Sequence, residues 1–255
     1  KPMMQNYVIP YLKSKLPESE RGEVIKSRIL RICGIGESTL QGKVSDFLSR
    51  EEPTVAPLAK LGEVHLRITA KGTPERADEL ITSTEKELRD RLGNLIYGTD
   101  NETLQEKIVE LLRERSLMLS VAESSSGGAI AQKICEVKGG SQILERGLVL
   151  NSEKSKRDLL GLNGNIKNYE KEELTKRLAI SLKEKSGADV SLVASDFYPS
   201  GDRYENNGGK KIIFSLCHND KVLSEEFNAT TRDRGKVNER ISKGALTMLY
   251  KFLID

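Results

Sequence analysis

A serine followed by paired glycines, set between an apolar run and a helix, can hold reacting oxygen. The sequence has one such element, Ala122-Glu123-Ser124-Ser125-Ser126-Gly127-Gly128. A strand-to-helix junction presents unpaired backbone N–H groups and the positive end of a helix dipole, which suit a phosphate or a developing oxyanion. Paired glycines let a ligand approach the backbone closely. A hydroxyl nucleophile also needs a proton acceptor. His65 alternates with leucine inside a strand, and His218 lies at a hairpin tip beside Asn219 and Asp220, so both read as structural or solvated. A lysine held neutral by burial can serve instead. Lys156, which opens the helix after the neighbouring strand, is the candidate. The competing use of Ser124 or Ser125 is as the N-cap of the helix.

The elements that must position these groups read as two units after a short tail. Residues 1–23 carry Pro2, Pro10 and Pro17, which break any long helix. Over residues 24–99, IKSRILRI alternates as a half-buried strand does, and GIGES turns into a helix bearing Leu40, Val44, Phe47 and Leu48. EVHLRITA predicts a second strand, Pro74 to Leu92 a charged amphipathic helix, and LIY at 95–97 a third strand. This is a small α+β unit. Over residues 100–255, strands and helices alternate: helix TLQEKIVELLRER, strand LMLSVA, the serine turn and its helix, strand GLVL, the Lys156 helix, helix KEELTKRLAISLKEKS and strand ADVSLVAS. A hairpin, KIIFSLC to KVLSEEF, and a last helix complete it. The fold class expected is therefore α/β, with the second unit a three-layer α/β/α arrangement around a mixed sheet.

Composition bounds the function. The 255 residues are 37% apolar and 31% charged. No run reaches the roughly 18 to 20 apolar residues of a spanning helix, and no secretory signal opens the chain, so no membrane partner is expected. Lys plus Arg (41) against Asp plus Glu (38) leaves +3, too even for a protein whose whole surface binds nucleic acid. Gly34-Ile35-Gly36 is G-x-G after a strand, not the G-x-x-G loop that clamps nucleotides. Cys33, Cys135 and Cys217 are far apart, without a C-x-x-C pair. That signals neither a disulfide framework nor a thiolate zinc site and fits a reducing cytoplasm.

Longer stretches carry a resemblance. VAESSSGG resembles the A-E-S-C-T-G-G element of the CinA C-terminal family, the nicotinamide-nucleotide amidohydrolases. RGLVLNSEKSKRDLLGL resembles that family's R-G-x-V-x-Y-S-N-x-x-K-x-x-x-L-G-V stretch, and GGSQILERG its G-S-S-x-x-F-x-x-G. Upstream, RILRICGIGES, EVHLRITA and LGNLIYG resemble the KH-like middle domain of longer members, and residues 1–12 the last helix of the molybdopterin-binding-like domain that begins them. The chain opens on Lys1, so a fragment of such a longer protein is expected.

The resemblance implies an assignment for each matching residue. Ser124 takes the place of the nucleophile and Lys156 that of the general base, with Glu123 an orienting residue. Backbone N–H groups from Ser125 through Ser126 and Gly127 to Gly128 would hold the oxyanion, and Arg234, in a retained Asp233-Arg234 pair, would contact a phosphate or a neighbouring subunit. The implied reaction is deamidation of nicotinamide mononucleotide to the acid and ammonia, without metal or cofactor, in a homodimer. The departures are as specific. The family's tyrosine is Asn151 here, the asparagine after it is Glu153, and the T-G-I-A-G-P loop is ASDFYP. In that loop Asp196, Phe197 and Tyr198 would fill space and add a negative charge. Tyr198 or Tyr204 are the phenols that could replace the missing one. The alternative to an active amidohydrolase is a catalytically impaired relative that binds nucleotide or acts as a scaffold.

Overall fold

The structure is a computed structural model, which describes residues 2–15, 22–124, 126–161, 166, 169–196, 210–229 and 233–255. At the start, a π-helical stretch Met4–Val8 runs into α1 (Ile9–Lys15). The prolines therefore do not prevent a helix here. Pro10 is the second residue of α1, where the π-helical stretch gives way to it.

The first unit contains β1 (Val24–Ile32), α2 (Glu37–Lys43), α3 (Ser45–Leu48), β2 (Thr54–Lys60), β3 (Glu63–Gly72), α4 (Pro74–Leu92) and β4 (Ile96–Thr99). Its antiparallel sheet has the order β2-β3-β1-β4. Helix α4 starts where it does because Thr73 caps the Arg76 amide and Pro74 takes the first helical position. Its Ala77, Ile81, Leu88 and Leu92 form one stripe against Leu30, Leu66 and Ile68 of the sheet. Strand β2, which contains Pro57, is not among the strands expected from sequence. It lies at the sheet edge, where a residue without an N–H is tolerated.

The second unit contains α5 (Leu104–Glu114), β5 (Leu119–Glu123), α6 (Ala129–Cys135), α7 (Gly140–Ile143), β6 (Leu144–Val149), α8 (Glu153–Leu160), α9 (Lys171–Ser186), β7 (Val190–Ser195), β8 (Lys210–His218), β9 (Lys221–Ala229) and α10 (Arg234–Ile254). The sheet order is β6-β5-β7-β8-β9; β5 pairs in parallel with β6 and β7, and the other pairings are antiparallel. Strands β5 and β7 are buried along their whole length, as central strands covered on both faces must be. Alternate residues go to opposite layers. Leu119, Val121, Val190 and Leu192 pack with Ile108, Ile130, Ile241 and Leu249 of α5, α6 and α10. Ala122 and Val193 pack with Leu159, Leu178 and Leu182 of α8 and α9. That is the expected three-layer arrangement.

Layering also locates a crevice. From β5 the chain turns into α6 on one face of the sheet, and from β6 into α8 on the other. Where neighbouring parallel strands send their connections to opposite faces, the space beyond their carboxyl ends stays open to a ligand.

Candidate active site

Glu123 ends β5, and its backbone carbonyl accepts the Leu150 amide at 2.7 Å, tying β5 to the end of β6. Its carboxylate accepts from Ile130 N at 3.1 Å and Ala131 N at 3.0 Å. A buried carboxylate is tolerated there because two orphan amides of α6 donate to it. The N-cap position itself is Gly128, without a side-chain cap. Ser124 is thus not the helix cap, and the competing reading of that residue is overturned.

The next two glycines take left-handed conformations, φ +66° at Gly127 and +100° at Gly128, which favour residues without a Cβ. The turn uses some of its own donors. Gly127 N donates to Ser124 O at 3.0 Å and Ala129 N to Ser126 O at 3.3 Å, so the Gly127 amide is not available to an oxyanion. Among the described residues, Ser126 and Gly128 keep uncommitted amides, and the buried Ser126 hydroxyl finds no protein partner. A Cβ placed on Gly127 would meet nothing within 4 Å, so the turn faces open space.

The Ser124 amide continues the sheet by donating to Ala194 O at 3.0 Å. Its hydroxyl lies beside Asp196, one residue past the end of β7. Ser124 Oγ donates to Asp196 Oδ1 at 2.7 Å and accepts from Asp196 N at 2.9 Å. A third, longer contact reaches Ala194 O at 3.4 Å. Lys156 comes from the opposite side: α8, opened by the reciprocal Ser152 and Ser155 capping box, projects it inward, and its Nζ donates to the Asp196 backbone carbonyl. Glu123, Ser124, Lys156 and Asp196 are only 2%, 3%, 5% and 8% exposed, so these charged and polar groups meet away from bulk water. The Ser124 hydroxyl makes no hydrogen bond to Lys156; both residues bind Asp196.

The remaining expectations fall differently. Asn151 is exposed between β6 and α8 and takes no part in the hydrogen bonds around Ser124. Ser125, Phe197, Tyr198 and Tyr204 lie outside the described residues, as does the side chain of Arg234. Arg234 begins α10, whose N-cap Asp233 accepts from Gly235 N and Lys236 N. His65 and His218 stand away from the serine, the first beside Glu63 and the second on Asp189 O. Sequence reading took Asp196 for a bulky negative charge in the loop. What could have marked it as a partner of Ser124 is parallel register. Glu123 pairs with Ala194, which puts the residues after each strand side by side.

A mixed sheet between two helical layers, with a serine turn at one strand end and a buried lysine nearby, places this chain among three-layer α/β proteins. The chain belongs to the CinA family: residues 27–98 match the damage-inducible protein CinA KH domain and residues 101–253 the CinA C-terminal domain. It is 35% identical over its whole length to a competence-damage inducible protein of Caldicellulosiruptor bescii, of which it spans 62%. With one from Caldanaerobacter subterraneus it shares 37% identity over 99% of its length, spanning 60% of that protein. The chain thus covers about three-fifths of these relatives. The crystal structure of a CinA superfamily protein from Klebsiella pneumoniae superposes with a TM-score of 0.52 at 19% identity, over 59% of this chain and 96% of that one. Among the described residues no helix is long and apolar enough to cross a membrane.

Proposed function

We propose that the chain hydrolyses the carboxamide of nicotinamide mononucleotide, releasing ammonia and nicotinic acid mononucleotide, with Ser124 as nucleophile and Lys156 as its partner. In this reading residues 24–99 form a KH-like unit, residues 100–255 carry the reaction, and the working form is a cytoplasmic homodimer. The observation that carries it is the convergence of the Ser124 hydroxyl and the Lys156 amine on one buried residue, Asp196, at the carboxyl end of β5. Ser124 Oγ attacks the carboxamide carbon, ammonia leaves, and water releases the acid from the acyl-enzyme. The amides of Ser126 and Gly128 are the described donors left for the oxyanion; each such donor is worth roughly 3 to 4 kcal/mol. Glu123 keeps the turn in place through α6, and Arg234 and Asn151 are assigned to meet the phosphoribosyl part.

Its test is ammonia release from nicotinamide mononucleotide by the purified chain, Ser124→Ala and Lys156→Ala. Loss of the hydroxyl is expected to lower the rate at least ~1,000-fold. Equal rates in all three proteins would remove the mechanism.

One observation favours a second reading, a nucleotide-binding or scaffold protein without turnover. Asn151, in place of the family tyrosine, is exposed and does not reach the serine. A melting temperature raised by the nucleotide, with no ammonia formed, supports that reading instead.

A further inference from the structure

We infer that Asp196 is a catalytic residue: its carboxylate, rather than the Lys156 amine, takes the proton of Ser124. The inference rests on Ser124 acting as a nucleophile. A general base must lie within about 2.6 to 3.2 Å of the atom whose proton it removes, and Asp196 Oδ1 meets this at 2.7 Å from Ser124 Oγ. Of the other contacts of the hydroxyl, Asp196 N is a donor and the Ala194 carbonyl, at 3.4 Å, is a long and feeble acceptor. Lys156 does not touch the hydroxyl. Its amine donates to the Asp196 carbonyl, which makes it a positioning residue that holds the Asp196 backbone over Ser124.

The groups around the carboxylate agree with this division of labour. From β5 come the Ser124 hydroxyl and Glu123, whose own carboxylate is committed to the Ile130 and Ala131 amides. From α8 comes the Lys156 cation, and from β7 the Ser195 hydroxyl, which is directed at the Asp196 carbonyl at 3.4 Å. Lys156 supplies positive charge close to a carboxylate that must stay ionised to act.

The proton inventory closes. As the Oγ–C bond forms, the Oγ–H bond breaks, its proton passes to Asp196 Oδ1, and the carbonyl electron pair moves onto oxygen. On collapse the C–N bond breaks, and the same proton goes to the leaving nitrogen, which departs as ammonia. In the second half Asp196 takes a proton from the attacking water and returns it to Ser124 Oγ as the C–Oγ bond breaks. The regenerated carboxylate then faces an acid product of like charge, which favours its release.

The test uses an alkyl fluorophosphonate, which needs no nicotinamide substrate. Ser124 Oγ bonds to phosphorus, fluoride leaves, and the serine proton goes to the base. Labelling of Ser124 is followed by mass spectrometry in the full chain, in Asp196→Asn, Asp196→Glu and Lys156→Met, and in the unmodified chain across acid to alkaline pH. Asp196→Asn is expected to slow labelling at least ~100-fold and Asp196→Glu to keep a measurable part of the rate. Lys156→Met should lower the rate and move its fall to higher pH, because the positive charge beside the carboxylate is lost, and in the unmodified chain that fall should lie on the acid side, where carboxylates protonate. The pH profile of the unmodified chain keeps the idea testable even where a variant does not fold. Unlabelled Ser124 in the unmodified chain, undiminished labelling of Asp196→Asn, or a rate that follows lysine titration each overturns the inference. Labelling that depends on Asp196 without ammonia from nicotinamide mononucleotide removes only the proposed substrate. Ammonia release with labelling indifferent to Asp196 removes only the base.

Discussion

The Lys243 ammonium, on α10, lies 2.9 Å from the carboxylate of Glu63, on β3, and so ties the last helix of the chain to the four-stranded sheet. The Tyr97 hydroxyl also donates to Glu63, and His65 Nε2 stands 3.3 Å from it. Glu63, Tyr97 and Lys243 border a cavity of about 160 Å³ between the two units, lined as well by Arg31, Lys133 and Glu239. Tyr250 adds to the same junction, its ring edge-on to Tyr97 and its hydroxyl on Asn94 O at 3.1 Å.

Acid should loosen this junction in two stages. Burial pushes the His65 imidazole below its ordinary value of 6.5 despite the nearby Glu63 carboxylate. The unfolded chain therefore binds that proton first, and the His65 contribution to stability is present above pH 6.5 and declines as the pH falls from there towards the lowered folded value. Burial raises Glu63, but the hydrogen bonds from Tyr97 and Lys243 outweigh it and leave the carboxyl below 4.5. Its contribution is present above pH 4.5 and lost as the pH falls through the folded value. Melting temperature against pH is expected to drop in both windows. His65→Asn should remove the first drop and Lys243→Met shrink the second; a melting temperature independent of pH through both windows would count against the account.

The Glu123 carboxylate should matter to stability as well as to the site. Glu123→Ala leaves the buried Ile130 and Ala131 amides without their acceptor. The expected cost is about 1 to 3 kcal/mol in denaturant unfolding. Glu123→Gln, which keeps one acceptor oxygen, should fall between the two. An unchanged midpoint in Glu123→Ala would mean that the amides find another partner.

Gly140 offers a sharper steric test. A Cβ built there would come 1.8 Å from the Ile134 carbonyl oxygen, a backbone atom at the end of α6 that cannot swing aside as a side chain can. Gly140→Ala is expected to destabilise by roughly 2 kcal/mol or more. Gly42, inside α2, meets nothing within 4 Å, so Gly42→Ala should be neutral or stabilising by up to about 1 kcal/mol. Chemical denaturation of the two variants side by side reads out the contrast.

Local pattern was enough to read most of the elements and two of the site residues. Alternation marks β1 and β3, a continuous apolar run marks β5, and apolar spacing marks α4 and α5, because side-chain direction repeats every two residues in a strand and every 3.6 in a helix. Ser124 and Lys156 were visible for the same reason, as each sits where a strand gives way to a helix. Strand β2 was not visible: Pro57 argues against it locally, and only its pairing with β3 makes it a strand. Nor was the role of Asp196, which lies 72 residues from Ser124 along the chain. The sequence by itself determined most of the strands and helices, β2 excepted, and which strand end carries the serine. Tertiary structure alone decided that β7 lies beside β5 in the register that sets a carboxylate on the serine hydroxyl, because strand neighbours are chosen by burying two faces of a sheet at once, a requirement that no short stretch of residues contains.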